Sequence, residues 1–157
     1  MDTVNIKWDD TVTQFDRIKD SKKTKLDKSG FYAILGATFN ESSKKYESLK
    51  LLYIGQAFDQ TLRERIPQEH DAYKCVYDYK KNHSGTDIVV MIGLIEESSL
   101  EKQTQQIFSD IECCLIFCNK PTCNTTCQES YSGRNLQVTN TGDYTPLKEK
   151  CSCSAQQ

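Results

Sequence analysis

The run from Ile88 to Ile95 is the longest unbroken apolar stretch of the chain, and it constrains the fold more than any other segment. It reads Ile-Val-Val-Met-Ile-Gly-Leu-Ile and lies between the acidic residues Asp87 and Glu96. A short apolar run of this kind predicts the most buried strand of a sheet. Its eight residues are less than half of the roughly 20 that a membrane span needs, so the sequence predicts no transmembrane helix.

Two segments rich in β-forming residues precede this run. Residues 30–39 and 50–58 both carry aromatic and β-branched side chains, and they predict two further strands. The polar residues 40–49 between them predict a hairpin with a long loop. The strand pairing that we expect places Tyr32 directly opposite Tyr53 on one face of the hairpin.

A helix is predicted directly after the hairpin. Thr61 and Glu64 have the spacing of a capping box, which predicts a helix that begins at Leu62. Pro67 cannot donate to the helical hydrogen-bond ladder and should end or kink this helix. Residues 68–82 then predict a second helix.

A second capping box is predicted farther along the chain. Ser98 and Glu101 have the same spacing as Thr61 and Glu64, which predicts a helix that continues to about Cys118. Pro121 should stop it.

The length and composition favour one domain over residues 1–157. The chain has 37% hydrophobic residues and no linker rich in Pro or Gly, which is typical of a compact domain with a modest core. Within it we distinguish an N-terminal arm (1–29), a core (30–125) and an irregular, cysteine-containing tail (126–157).

The charge distribution is uneven although the net charge is only -2. A small net negative charge argues against a protein that coats nucleic acid by bulk charge alone. Residues 17–28, however, carry six Lys and Arg against two Asp, whereas residues 87–112 carry six Asp and Glu against one Lys. The sequence therefore predicts a basic face, whose candidate residues are Lys22, Lys23, Lys25, Lys44 and Lys45.

The cysteine content favours reduced thiols. Eight cysteines in 157 residues fall below the roughly 8–10% that is typical of disulfide scaffolds. The N-terminal residues show neither a basic region nor an apolar run of a secretory signal, so we expect a cytoplasmic protein. A less favoured alternative is a structural zinc ion held by Cys123, Cys127, Cys151 and Cys153, whose spacing departs from the usual pairs.

Five sequence features in a fixed order carry the functional prediction. They are Gly30-Phe31-Tyr32, Tyr53-Ile54-Gly55, Arg65, Glu112 and Asn124. Neither tripeptide is specific by itself. Together, over roughly residues 29–125, they resemble the GIY-YIG nuclease family.

This resemblance implies a fold and an activity. The fold is α+β, a small three-stranded antiparallel sheet flanked by helices. The activity is metal-dependent hydrolysis of DNA phosphodiester bonds by an endonuclease of restriction or phage type. The resemblance also implies that the lysines of the basic face follow a DNA backbone. It leaves open whether the chain works alone or as a homo-oligomer.

The resemblance implies a role for each tyrosine. Tyr32 would be the general base, and Tyr53 would orient or polarise the same water molecule. A phenol has a pKa of about 10, so a nearby cation or a metal-bound water would have to assist Tyr32. The alternative is structural, since paired tyrosines often stabilise a hairpin.

Three basic residues follow the hairpin. Arg65 corresponds to the family's essential arginine, and its planar guanidinium can hold the scissile phosphate with two hydrogen bonds. Arg63 is a solvated neighbour or a DNA-backbone contact. His70 corresponds less closely to a family histidine, because it lies five positions after Arg65 and Pro67 lies between them.

Glu112 is the candidate ligand for Mg²⁺, for which Mn²⁺ can substitute. On the predicted helix it lies in an apolar stripe beside Phe108, Leu115 and Ile116, where a carboxylate needs a partner. Mg²⁺ keeps several waters and needs only one or two protein carboxylates. The alternative is a Glu at the margin of the stripe that reaches water or pairs with an arginine.

Asn124 would support the site or the metal-binding carboxylate, or it is a turn residue after Lys-Pro. Two other function classes remain open at this point. One is a module of the same fold that binds DNA or a protein without cleavage, and the other is a zinc-stabilised interaction protein.

Overall fold

The computed structural model describes residues 1–155, which form one mixed β-sheet with helices on both of its faces. The strands are β1 (Asp2–Trp8), β2 (Thr13–Gln14), β3 (Gly30–Asn40), β4 (Lys45–Ala57), β5 (Asp87–Ser98), β6 (Leu136–Gly142) and β7 (Lys150–Cys153). The α-helices are α1 (Leu62–Arg65), α2 (Ala72–Asn82) and α3 (Gln105–Asn119), and two short 3₁₀ turns lie at Phe15–Arg17 and Thr24–Asp27.

The sheet has seven strands within residues 1–155, in the order β4-β3-β5-β1-β6-β7, with β2 also paired to β5. The β1–β6 pair is parallel and the other pairs are antiparallel. The expected small three-stranded sheet flanked by helices is therefore wrong. Of the seven strands in residues 1–155, the sequence predicted β3, β4 and β5.

The additional strands come from the segments that we expected to be an arm and an irregular tail. In β1, buried Val4, Ile6 and Trp8 alternate with Asn5 and Lys7, and this alternation is the pattern of a half-buried strand. Such short strands are stable only against a partner, and β1 finds it in the free edge of β5. Because the partner is distant along the chain, local patterns did not reveal it.

The β3–β4 hairpin is longer and tighter than predicted. Both strands extend into residues 40–49, so that a short turn replaces the long loop. Tyr32 lies opposite Gly55, and Tyr53 lies opposite Ile34. The direct pairing of Tyr32 with Tyr53 is therefore wrong; the two tyrosines are diagonal neighbours on the same face.

The capping box at the start of α1 is confirmed. The Thr61 side chain accepts from the Glu64 N–H, and the Glu64 carboxylate accepts from the Thr61 N–H. The helix ends before Pro67, as predicted, and α2 begins at Ala72 rather than at residue 68.

The second predicted capping box is wrong. Strand β5 continues through Ser98, where it pairs with β1, and α3 begins only at Gln105. The side chain of Thr104 caps this helix by accepting from the Ile107 N–H. The pairing with β1 explains the difference, because it extends the strand over residues that would otherwise be free to start a helix.

Both faces of the central strands are buried. One face, with Phe31, Ala33 and Leu35, packs against α3, and the opposite face, with Tyr32 and Ile34, packs against α1 and α2. This burial explains why β3 is apolar over most of its length rather than alternating. The candidate site residues of β3 and β4 lie on the face of α1 and α2.

All eight cysteines form disulfides, which corrects the expectation of reduced thiols. The pairs are Cys75–Cys123, Cys113–Cys127, Cys114–Cys153 and Cys118–Cys151. The zinc alternative is also wrong, because each of its four cysteines is bonded to another sulfur. Disulfides persist in oxidising environments and are rare in cytosolic proteins, so these bonds weigh against a cytoplasmic location.

Within residues 1–155, no helix combines the length and apolar character that a membrane crossing requires. The absence of a transmembrane helix was predicted from the sequence.

Candidate active site

Tyr32 is completely buried, and a glycine on the neighbouring strand makes room for its ring. A Cβ added at Gly55 would lie 2.5 Å from the Tyr32 hydroxyl oxygen, which is closer than real side chains approach. The ring of Tyr53 lies beside it, with 6.1 Å between the ring centroids. The two tripeptides of the sequence motif therefore meet, since the glycine of one accommodates the tyrosine of the other.

Helix α1 presents two arginines that have different surroundings. The Arg63 guanidinium donates a hydrogen bond to the Asp27 carboxylate. It also holds the N-terminal loop by donating to the backbone carbonyls of Ile18, Lys19, Ser21 and Lys23. In the part of the chain that the structure describes, the Arg65 side chain makes a single hydrogen bond, to Gln68 at 2.9 Å. Its charge acts on Tyr32, Tyr53 and Glu112, so Arg65 belongs to the cluster around the tyrosines.

His70 and Tyr73 complete an aromatic cluster around Tyr53. The His70 ring lies 4.0 Å from the Tyr73 ring and 5.2 Å from the Tyr53 ring, measured between centroids. Its Nε2 atom is buried without a hydrogen-bond partner among the described residues. Burial and the charge of Arg65 both lower the pKa of His70, which favours the neutral imidazole.

Glu112 extends from α3 to the outer edge of β4. Burial raises the pKa of this carboxyl group to about 7, while the Arg65 charge and a hydrogen bond from the Gln56 backbone N–H act in the opposite direction. The carboxylate thus lies in an apolar setting where a positive partner stabilises its ionised form. The structure brings Glu112 and Arg65 together although 47 residues of sequence separate them.

Asn124 binds the same edge of β4. Its side-chain oxygen accepts from the Ile54 N–H and its side-chain nitrogen donates to the Ile54 carbonyl, both at 2.9 Å. The amide thereby takes the place of a neighbouring strand beside Tyr53 and satisfies an exposed edge. Asn124 therefore holds the strand that carries Tyr53; its part in a reaction stays a prediction.

Two disulfides lie directly beside these residues. Cys123 precedes Asn124 and is bonded to Cys75 of α2, and Cys113 follows Glu112 and is bonded to Cys127. The first bond joins α2 to the loop that caps β4. The second joins the Glu112 turn of α3 to the segment after that loop.

The buried phenols are protonated at neutral pH. Burial raises the pKa of Tyr32 well above its ordinary value; Tyr73 and Glu112 add to this effect and Arg65 opposes it. Burial likewise raises the pKa of Tyr53, and raises that of Tyr73 to about 12. The neutral Tyr32 hydroxyl can orient a water molecule by hydrogen bonding, whereas the phenolate that would act as a general base is strongly disfavoured in these surroundings.

Four of the five predicted DNA-binding lysines are exposed, near the N-terminal loop and the hairpin turn, whereas the Lys23 side chain is only 17% exposed. Lys23 and Lys25 both pair with Asp9, and Lys44 pairs with Glu41. Lys22 and Lys45 are exposed. The exposed Lys44–Glu41 pair contributes little to stability and leaves Lys44 free to bind other anions. Lys23 is held by the largely buried carboxylate of Asp9 and is less available.

The sequence did not single out Tyr73, which contacts three of the predicted site residues. The spacing of Tyr73 and Val76, three residues apart on a predicted helix, could have indicated that both face the core, and they form the buried face of α2. The contact between Glu112 and the Gln56 backbone carried no signal, since a backbone N–H is present at almost every position.

The metal prediction depends on one side chain. Within residues 1–155, no group of three or more His, Cys, Asp or Glu residues surrounds a common point. A single buried carboxylate whose ionised form needs a positive partner nevertheless fits Mg²⁺, which takes most of its ligands from water and phosphate. Glu112 is the residue that would hold such an ion.

No family model, curated protein or solved structure matches this chain.

Proposed function

We propose that this protein hydrolyses phosphodiester bonds in DNA with the help of a divalent metal ion. The observation that carries the proposal is the convergence of Arg65, Glu112, Tyr32 and Tyr53. The two tyrosine rings lie 6.1 Å apart, Arg65 lowers the pKa of both phenols and of Glu112, and Glu112 raises the pKa of both phenols. These residues come from α1, α3, β3 and β4. Folding therefore gathers a cation, a carboxylate and two phenols that are far apart in the sequence.

Arg65 binds the scissile phosphate in this proposal. Among residues 1–155, its guanidinium makes one hydrogen bond, to Gln68, which leaves several N–H donors for phosphate oxygens. A guanidinium matches the spacing of two phosphate oxygens and stabilises the charge that they gain in the transition state. Arg63 cannot replace it, because the N-terminal loop occupies its donors.

Tyr32 and Tyr53 orient the attacking water. Both phenols remain protonated at neutral pH for the reasons given above, so each can donate or accept a hydrogen bond but gives up its proton only reluctantly. The tilted contact of Tyr53 with His70 and its edge-on contact with Tyr73 keep its ring in one position. Orientation of this kind lowers the entropic part of the barrier.

Glu112 supplies the protein's ligand to the metal ion. When bound, Mg²⁺ or Mn²⁺ would neutralise charge on the phosphate and acidify a water molecule. Overall, the water oxygen bonds to phosphorus, the bond from phosphorus to the leaving sugar oxygen breaks, and one water proton ends on that oxygen. The products are a phosphate monoester end and a hydroxyl end.

The disulfides set the environment in which we propose that this reaction takes place. Because four such bonds join α2, α3, β7 and the loops between them, the folded protein suits an oxidising compartment or the extracellular space. The proposed substrate is accordingly DNA outside a reducing cytosol.

The test is cleavage of duplex DNA by the oxidised protein with Mg²⁺, with Mn²⁺ and with EDTA. Cleavage in either metal and none in EDTA is expected. Arg65→Gln and Glu112→Gln should each lower kcat about 100-fold or more. Matched controls are Arg17→Gln and Glu101→Gln, which change exposed residues outside the cluster.

Three outcomes would contradict the proposal. DNA that is bound but never cut would favour a non-cleaving module. Cleavage that continues in EDTA would show that the reaction needs no divalent metal ion. Unchanged cleavage by Glu112→Gln would show that this carboxylate is not part of the reaction.

A further inference from the structure

Tyr73 lies at the centre of the candidate site, although no sequence motif points to it. It is completely buried, and its ring packs edge-on against Tyr53 at 5.8 Å. Its hydroxyl oxygen lies 2.6 Å from the Ile66 carbonyl oxygen and 3.5 Å from the Tyr32 hydroxyl oxygen. Tyr73 therefore connects the end of α1 to the first tyrosine of the motif.

The direction of both hydrogen bonds follows from elementary chemistry. A carbonyl oxygen can only accept, so the single hydroxyl proton of Tyr73 is used in the bond to Ile66. The proton between the two phenols must then belong to Tyr32. Tyr32 donates to Tyr73, which leaves the Tyr32 oxygen as an acceptor. Tyr53 hydrogen-bonds toward the same oxygen, and a hydroxyl oxygen has a second lone pair beside the one that Tyr53 uses.

The effect of each phenol on the other agrees with this direction. Burial is the main reason that the pKa of both Tyr32 and Tyr73 is raised. The hydrogen bond between them further raises the pKa of Tyr32 and lowers that of Tyr73, as expected when Tyr32 is the donor.

We propose that Tyr73 is a positioning residue that fixes the Tyr32 hydroxyl with its acceptor lone pair available to the attacking water. This inference rests on the proposed function. The two hydrogen bonds run from Tyr32 to Tyr73 and from Tyr73 to the Ile66 carbonyl, which cannot take up a proton. They therefore orient the Tyr32 hydroxyl and do not carry the water's proton away. Tyr73 thus acts through Tyr32 and needs no contact with DNA.

Tyr73→Phe is the direct test, because it removes the hydroxyl and keeps the ring. We expect kcat to fall about 10-fold with KM nearly unchanged. Tyr77→Phe is the matched control: it removes a hydroxyl from the same helix that bonds Glu69 at 2.7 Å, away from Tyr32. This control should cleave at the parent rate.

The double variant Tyr32→Phe/Tyr73→Phe separates positioning from a structural role. If Tyr73 acts only through the Tyr32 hydroxyl, the double variant should cleave no more slowly than Tyr32→Phe alone. A second 10-fold loss in the Tyr32→Phe background would overturn the inference. So would a parent rate for Tyr73→Phe.

A measurement that does not need activity completes the test. In protein whose tyrosines carry ¹³C at Cζ, the Cζ signal of Tyr32 should shift in Tyr73→Phe and stay at its parent position in Tyr77→Phe. No shift in Tyr73→Phe would overturn the positioning role even if the parent proves inactive. An inactive parent with the expected shift would instead reject the proposed hydrolysis and leave the hydrogen-bond arrangement supported.

Discussion

Tyr32 and Gly55 lie opposite each other in the hairpin, and the Tyr32 side chain fills the space that any side chain at position 55 would need. The pairing links the two halves of the sequence motif in a single steric requirement. It also explains why the two motif tyrosines are diagonal rather than opposite neighbours: the position opposite Tyr32 must be empty.

Gly55→Ala should displace Tyr32 and reduce cleavage. Overpacking of a buried site destabilises a protein by about 1–3 kcal/mol, and here the added methyl group meets the Tyr32 phenol, which we propose orients the attacking water. Gly36→Ala is the matched control, because its Cβ would lie equally close, 2.5 Å, to the Tyr79 ring. Both variants should unfold at lower urea concentration than the parent, but only Gly55→Ala should lose activity per folded molecule. Equal activities of the two variants would show that cleavage does not depend on the position of Tyr32.

Glu112 should make stability depend on pH. Its folded pKa of about 7 lies above the ordinary value of 4.5, so the folded state holds the proton more tightly than the unfolded state. The free energy of unfolding should then fall as pH rises from about 4.5 to about 7, by about 3 kcal/mol for this group. Urea unfolding at pH 5 and pH 8 measures the change, and Glu112→Gln should remove most of it.

Metal binding should counteract this loss. Mg²⁺ or Mn²⁺ should raise the melting temperature of the parent at pH 8, where Glu112 is ionised, and EDTA should reverse the effect. At pH 5 the protonated carboxyl should bind the ion poorly. The same response in Glu112→Gln would place the metal elsewhere.

Arg63→Ala should affect stability rather than catalysis. The substitution removes hydrogen bonds to the loop of residues 18–23 and the ion pair with Asp27, and we expect it to lower the free energy of unfolding by about 2 kcal/mol. The kcat of the folded protein should stay at the parent value. Salt-dependent loss of DNA binding in this variant would instead support the DNA contact predicted from the sequence.

The disulfides should differ in their importance for cleavage. The Cys75–Cys123 bond holds the loop of Asn124, whereas Cys118–Cys151 joins α3 to β7. Replacing either pair by Ala should lower stability by about 2–5 kcal/mol, measured by urea unfolding. At a temperature where both variants are folded, loss of the Cys75–Cys123 bond should reduce kcat more than loss of the Cys118–Cys151 bond. Equal kcat values would show that the Asn124 loop keeps its position without the Cys75–Cys123 bond.

The sequence by itself determined the elements whose signals are local. The apolar run of β5, the β-forming residues of β3 and β4, and the Thr61–Glu64 capping box of α1 were all predicted, because propensity, burial pattern and capping act between near neighbours. The candidate residues Tyr32, Tyr53, Arg65 and Glu112 were singled out by the resemblance of their order to a family motif, and their catalytic roles stay a prediction.

Only the tertiary structure decided the rest. The place of β1 between β5 and β6, the diagonal contact of Tyr32 with Tyr53 and the pairing of all eight cysteines each depend on partners far away in the chain. A short strand or a cysteine has the same local pattern whichever partner it takes. The choice is made by packing and chain geometry, and these exist only once the sheet has formed.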